Sequence, residues 1–192
     1  MNSGGSTFTT VIALGGAAWT PEARRANAGF QTWAARALAC LTDLRWFPED
    51  NAPFCPMLAE RWMKREGLWR SCPISLIGFS AGCVAVRAIA SELGSEFVKA
   101  IVAVDGWCVP FHGLEIPVYR LSHDRATHEN GLAWGGGRAQ FYADPGVGHL
   151  CLWGDMERVT GWRGGDREPE WAIAADFLRD AVQGAIASRP AL

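Results

Sequence analysis

Several things are missing from this chain, and each absence narrows what it can be. None of the six cysteines (Cys40, Cys55, Cys72, Cys83, Cys108 and Cys151) pairs into a CxxC, so a zinc ribbon is not expected. There is no HExxH and no carboxylate–histidine run at metal-ligand spacing, so no metal is expected. No apolar run reaches the roughly 18–20 residues that a membrane span requires. The start, "MNSGGSTFTTVIALGGAAW", has no Lys or Arg before its apolar stretch, unlike a secretory signal. Lys and Arg are scattered and the formal charge is −2, which argues against nucleic acid as a partner. No repeat, low-complexity tract or composition shift marks a linker.

What remains is an ordinary globular composition, 49% hydrophobic and 20% charged over 192 residues. That length predicts one domain, 1–192, able to bury a core without staples. A cytoplasmic location follows from the same absences, and there most cysteines act as small free-thiol hydrophobes. In an oxidising compartment the six could form up to three disulfides. Ten tryptophans are many; they serve either ordinary packing or an apolar ligand cleft.

Patterning predicts alternating strands and helices. "FTTVIALGG" (Phe8 to Gly16) is a buried strand ending in glycines. Thr20 and Pro21 then open a helix with Phe30, Trp33, Ala34, Ala37, Leu38 and Leu41 on one face. "DLRWFPED" (Asp43 to Asp50) is a short strand that Pro48 ends, and "PMLAERWMKREG" is a helix stopped by Gly67. "PISLIG" is a strand, "SAGCVAVRAIASEL" a helix stopped by Gly94, and "KAIVAVDG" another buried strand. "IPVYRLS" (Ile116 to Ser122) and "RAQFYAD" (Arg138 to Asp144) complete the sheet. A final helix begins near Pro169 with Trp171, Ala174, Ala175, Leu178, Val182 and Ile186 in a stripe. The order predicts an α/β fold, a mostly parallel central sheet with helices on both faces. Only residues 107–115 separate two of its strands, short for a parallel crossover. Either that crossover is stripped to a loop or the strand limits are shifted.

The chemistry concentrates in "LIGFSAG". A serine on a sharp strand-to-helix turn needs a strained backbone, and Gly78 and Gly82 flank Ser80 to permit it. The helix start then offers free N–H groups and partial positive charge suited to an oxyanion. With 22 glycines the bare pattern is not rare, so its place between strand and helix is what gives it weight.

On "LIGFSAG", "IPVYRLSHD" and "PGVGHL" the chain resembles the α/β-hydrolases over most of its length. That resemblance implies a nucleophile, acid and histidine in that chain order, which Ser80, Asp124 and His149 satisfy. Ser80 would attack, His149 in its glycine-rich loop would take the proton, and Asp124 would orient the imidazole. Asp105 also ends an apolar strand and is the rival acid, since some hydrolases place the acid one strand earlier. Asp144 and Asp155 are more distant candidates. The oxyanion hole would use the Ala81 N–H and a donor from "LGGAAW". Many relatives carry His-Gly there; here the donor lies between Gly16 and Ala17.

The short 107–115 segment leaves no room for the lid many relatives carry. Trp107, Val109 and Phe111 could line an acyl groove, or simply pack as a loop. "THENGLAWGGG" (Thr127 to Gly137) is either a flap or a surface loop. The leading expectation is a cofactor-free serine hydrolase, monomeric or homodimeric, acting on a small-molecule ester or thioester through an acyl-enzyme. An acyltransferase with the same triad and a non-catalytic partner-binding protein are the alternatives.

Overall fold

The computed structural model describes residues 9–48, 52–165 and 168–187. Phe8, Glu49 and Asp50, expected at strand ends, lie outside the described residues, as does the side chain of Ile186. The chain runs β1 (Thr9–Leu14), α1 (Pro21–Ala37), β2 (Thr42–Trp46), α2 (Pro56–Arg65), β3 (Ile74–Phe79) and α3 (Gly82–Phe97). It continues through β4 (Val98–Val104), β5 (Val118–Ser122), α4 (Arg125–Ala133), β6 (Ala139–Ala143) and α5 (His149–Gly154). It closes with β7 (Thr160–Gly165), β8 (Glu170–Ile173) and α6 (Ala174–Ala187).

The eight strands form one sheet in the order β2-β1-β3-β4-β5-β6-β7-β8. Every pairing from β2 to β6 is parallel, and β7 and β8 add antiparallel. The protein is therefore α/β, with helices covering both faces of a mostly parallel sheet. Alternation along the strands sorts the core into two layers. Val11, Ala13, Ile77, Val102 and Leu121 pack toward Phe30 of α1, Trp153 of α5 and Leu178 of α6. Ile12, Leu14, Leu76, Ile101 and Val118 pack toward Trp62 of α2 and Val86 of α3. Among the described residues, no helix is long and apolar enough to cross a membrane.

Local signals explain most elements. Thr20 caps α1 by accepting the Ala23 N–H at 3.2 Å, and Pro21 occupies the first turn. Gly67 takes φ 69° just past α2. Gly94 adopts φ 65° and ψ −177°, breaking the helical path one turn before β4 begins directly at Val98. Between β4 and β5 the crossover is indeed a bare loop, yet the two strands are parallel.

Arg120 makes that loop possible. It is buried, and its guanidinium donates to the carbonyls of Gly106, Val109, Trp134 and Gly135 at 2.6–3.3 Å. It also lies over the Phe111 ring at 5.0 Å. Four backbone carbonyls thus substitute for a counter-ion, although burial still pulls its pKa down.

Three expectations need correction. "THENGLAWGGG" is mostly helix: α4 reaches Ala133, and the loop is confined to the glycines before β6. "RAQFYAD" is not the last strand. The segment after α5 folds back as the β7–β8 hairpin, so the final helix begins at Ala174 rather than near Pro169. Trp171 belongs to β8, where it meets Trp162 edge-on at 5.1 Å, and Arg163 pairs with Glu170 across the ladder.

Candidate active site

The carboxyl ends of the parallel strands gather the reactive groups. The strand order reverses direction between β1 and β3, which opens a crevice there in sheets of this kind. Ser80 follows β3, with φ 51°. A residue other than glycine in that region is strained by about 1–3 kcal/mol. The two flanking glycines accommodate the turn, though by contacts with other elements rather than with each other. A Cβ on Gly78 would stand 3.0 Å from Cys83 Cα and from a Val86 methyl. One on Gly82 would stand 2.6 Å from the carbonyl oxygens of Leu14 and Gly15, so the absence of a side chain lets α3 seat against the end of β1. Ser80 is partly exposed, and its N–H is fixed to Val104 O at 2.9 Å.

Ala81 is the N-cap of α3, so its N–H lies at the helix start, among donors without an intrahelical acceptor. Gly16 lies on the other side of the serine: a Cβ there would meet the Phe79 ring at 2.7 Å and Ser80 Cβ at 3.7 Å. Its carbonyl accepts from Asn27 Nδ2 at 3.1 Å. In a trans peptide the Ala17 N–H points opposite to that carbonyl, away from Asn27. Asn27 is buried and holds Trp153 Nε1 on its other end at 3.0 Å. This supporting residue went unnoticed in the sequence, where Asn27 looks like one more polar position on α1.

His149 opens α5, and its ring stacks on Phe79 with centroids 4.7 Å apart. Phe79 stacks in turn on Trp153, and Trp153 on Phe30, at 4.8 and 3.6 Å. The imidazole is thus the outermost plate of a stack built on the residue that precedes Ser80. Its Nδ1 lies 2.7 Å from Asp105 Oδ2. That bond leaves Nε2 as the nitrogen available to a serine hydroxyl.

Asp105 is therefore the carboxylate on His149, where strand position predicts Asp124. Asp105 follows β4 at φ 50°, and its side chain is wholly buried. Asp124 is spent elsewhere: its Oδ1 accepts the Thr127 N–H at 2.7 Å and caps α4, which holds its pKa down. A second imidazole shares Asp105. His123 Nδ1 lies 2.9 Å from the same Oδ2, and the His123 N–H donates to Oδ1 at 2.8 Å. The bond to Asp105 raises the His123 pKa. Among the described residues Asp105, His123 and His149 alone bring three metal-type atoms together, within 4.8 Å, and the hydrogen bonds to Asp105 account for that grouping.

A cavity of about 400 Å³ adjoins these groups, lined by Trp107, His123, Ala126, Thr127, Asn130 and His149. Of these, Trp107 is half exposed. Val109 and Phe111 do not line it. Both are buried in the layer with α3, because Arg120 draws the Val109 carbonyl and the Phe111 ring inward. Another recess of about 330 Å³, beside β6, β7 and α6, holds the Arg163–Asp180 ion pair and no serine, cysteine or histidine. Cys83 lies beneath the turn, its thiol pushed up to about 12 by burial, and is inert. All six cysteines are free.

No protein-family model matches the chain, and no curated protein does. Among solved structures, one that matches is an extracellular α/β-hydrolase from a Paenibacillus species, described as sharing structural and functional homology with tobacco salicylic acid binding protein 2. The identity is 18% and the TM-score 0.35. The match covers 50% of this chain and 40% of that one. A likeness this slight contributes nothing to the functional reading, which rests on the geometry above.

Proposed function

We propose that the chain is a serine hydrolase of one domain, cleaving a small carboxylic ester or thioester through an acyl-enzyme on Ser80. His149 is the general base. Asp105, not Asp124, is the acid that orients it. The Ala81 and Ala17 N–H groups stabilise the oxyanion. The observation that carries this reading is the 2.7 Å bond from His149 Nδ1 to a buried carboxylate, with the imidazole stacked on Phe79, the residue before the strained Ser80.

The chemistry follows from these positions. His149 Nε2 takes the Ser80 hydroxyl proton as Oγ bonds to the substrate carbonyl carbon. Asp105 stabilises the imidazolium that forms without taking the proton itself. The imidazolium returns the proton to the leaving oxygen or sulfur as the acyl bond breaks. Water, deprotonated by the same nitrogen, then releases the acid and frees Ser80. Hydrolysis is favoured over acyl transfer to another acceptor because His149, the group that would deprotonate water, is partly exposed and lines an open pocket.

The test is p-nitrophenol release from short- and medium-chain esters, together with fluorophosphonate labelling, for the parent and Ser80→Ala. Labelling of the parent at Ser80 and loss of turnover in the variant are expected. A parent that neither turns over nor labels would overturn the hydrolase and leave a partner-binding role for the fold.

A further inference from the structure

We propose that His123 is a second histidine of the site, a positioning residue that locks the Asp105 carboxylate and, when charged, keeps His149 available as a base at lower pH. This inference rests on the serine-hydrolase reading above. An orienting acid needs only one imidazole, yet Asp105 holds two on one oxygen, at 2.7 and 2.9 Å. His123 is also tied in from both sides. Its N–H donates to Asp105 Oδ1 at 2.8 Å, and its carbonyl accepts the Val147 N–H at 2.9 Å. Val147 lies two residues before His149, so one residue at the end of β5 fixes both the acid and the loop that delivers the base. Gly146 permits that approach: a Cβ there would stand 3.0 Å from Asp124 Cβ and 3.7 Å from the His123 carbonyl oxygen.

The charged groups facing the His123 ring are Asp105 from β4, His149 from α5 and its neighbour Asp124, whose Oδ2 lies 3.6 Å from Nε2. Trp107, Thr127 and Asn130 line the rest of the shared pocket and carry no charge. Two carboxylates thus favour a proton on His123, in line with its raised pKa. A charged His123 stands 5.8 Å, ring to ring, from His149. It opposes a second proton on that imidazole and neutralises part of the Asp105 charge that would favour one. As pH falls, the charge gained by His123 therefore works against protonation of the neighbouring base. At that spacing in a partly exposed site the coupling is worth about one pH unit.

The experiment measures the rate of fluorophosphonate labelling at Ser80 against pH in the parent, His123→Asn and His123→Phe. Asparagine can still donate to Asp105 and carries no titratable group; phenylalanine keeps the ring volume without donor or charge. The acid limb is expected to move up by about one pH unit in both variants. The plateau rate is expected to fall less than tenfold in His123→Asn and about tenfold or more in His123→Phe. Circular dichroism identifies the folded variant, and either one alone reads the limb. Labelling in the parent with an unmoved limb in a folded variant overturns this inference and leaves the triad intact. No labelling in the parent overturns both.

Discussion

Asp105 Oδ2 carries two imidazole donors, whereas Asp124 Oδ1 carries a backbone N–H, and the two carboxylates should respond differently when removed. Asp105→Asn leaves His149 without the anion that fixes its tautomer. Labelling of Ser80 should slow by about 10³–10⁴-fold. Asp124→Ala removes a helix cap, so it should cost about 1 kcal/mol in urea unfolding while labelling stays within about tenfold. Equal losses of labelling rate in the two variants would refute the assignment. The sequence left both aspartates open because each ends an apolar strand. Strand position favoured Asp124, and only the neighbours of each side chain separate them. One signal was present: Asp124 stands three residues before Thr127 at a helix start, the spacing of an N-cap. The glycines of "THENGLAWGGG" hid that helix. His123 was hidden for a different reason, since its contacts with Asp105 and Val147 join separate parts of the chain.

Among elements, the helix-free crossover from β4 to β5 depends most on one side chain. Arg120 donates to four carbonyls on two loops and has no carboxylate partner among its hydrogen bonds. Arg120→Met keeps much of the volume but leaves those carbonyls without their donor, which should destabilise the protein by about 2 kcal/mol or more. Trp107 belongs to the loop being released, so a KM for esters that rises more than kcat falls is expected as well. Unchanged stability would show that water replaces the guanidinium. Elements with strong local punctuation, such as α1 behind Thr20 and Pro21, were legible in the sequence. The β7–β8 hairpin was not. Trp171, Ala174, Ala175 and Leu178 fit helical spacing, and only the pairing of Trp171 with Trp162 across the ladder turns the first of them into strand. Helix α5 was missed because six residues are too few to show a period.

At the scale of the whole molecule, the proposed nucleophile and acid stand at the ends of the most buried strands of the sheet. Ser80 follows a strand buried at all six positions, and Asp105 follows one buried at six of seven. Helix α3 further ties both strands to the layer below. The sheet thins toward β8, whose Glu170, Trp171 and Ile173 are exposed and which pairs on one side only. Local opening follows such differences in burial and pairing. Native-state hydrogen exchange should therefore find the β3 and β4 amides opening only with global unfolding. The β8 amides should exchange at least about 100-fold faster. The difference has a functional side. His149 sits on neither class of element but on α5, held by the stack through Phe79 and Trp153 to Phe30. If α5 exchanges with the central strands, the base is as fixed as the nucleophile, and Ser80→Ala should leave its protection unchanged. If α5 instead exchanges with β8, the aromatic stack does not hold the base in place, and the site is not preorganised.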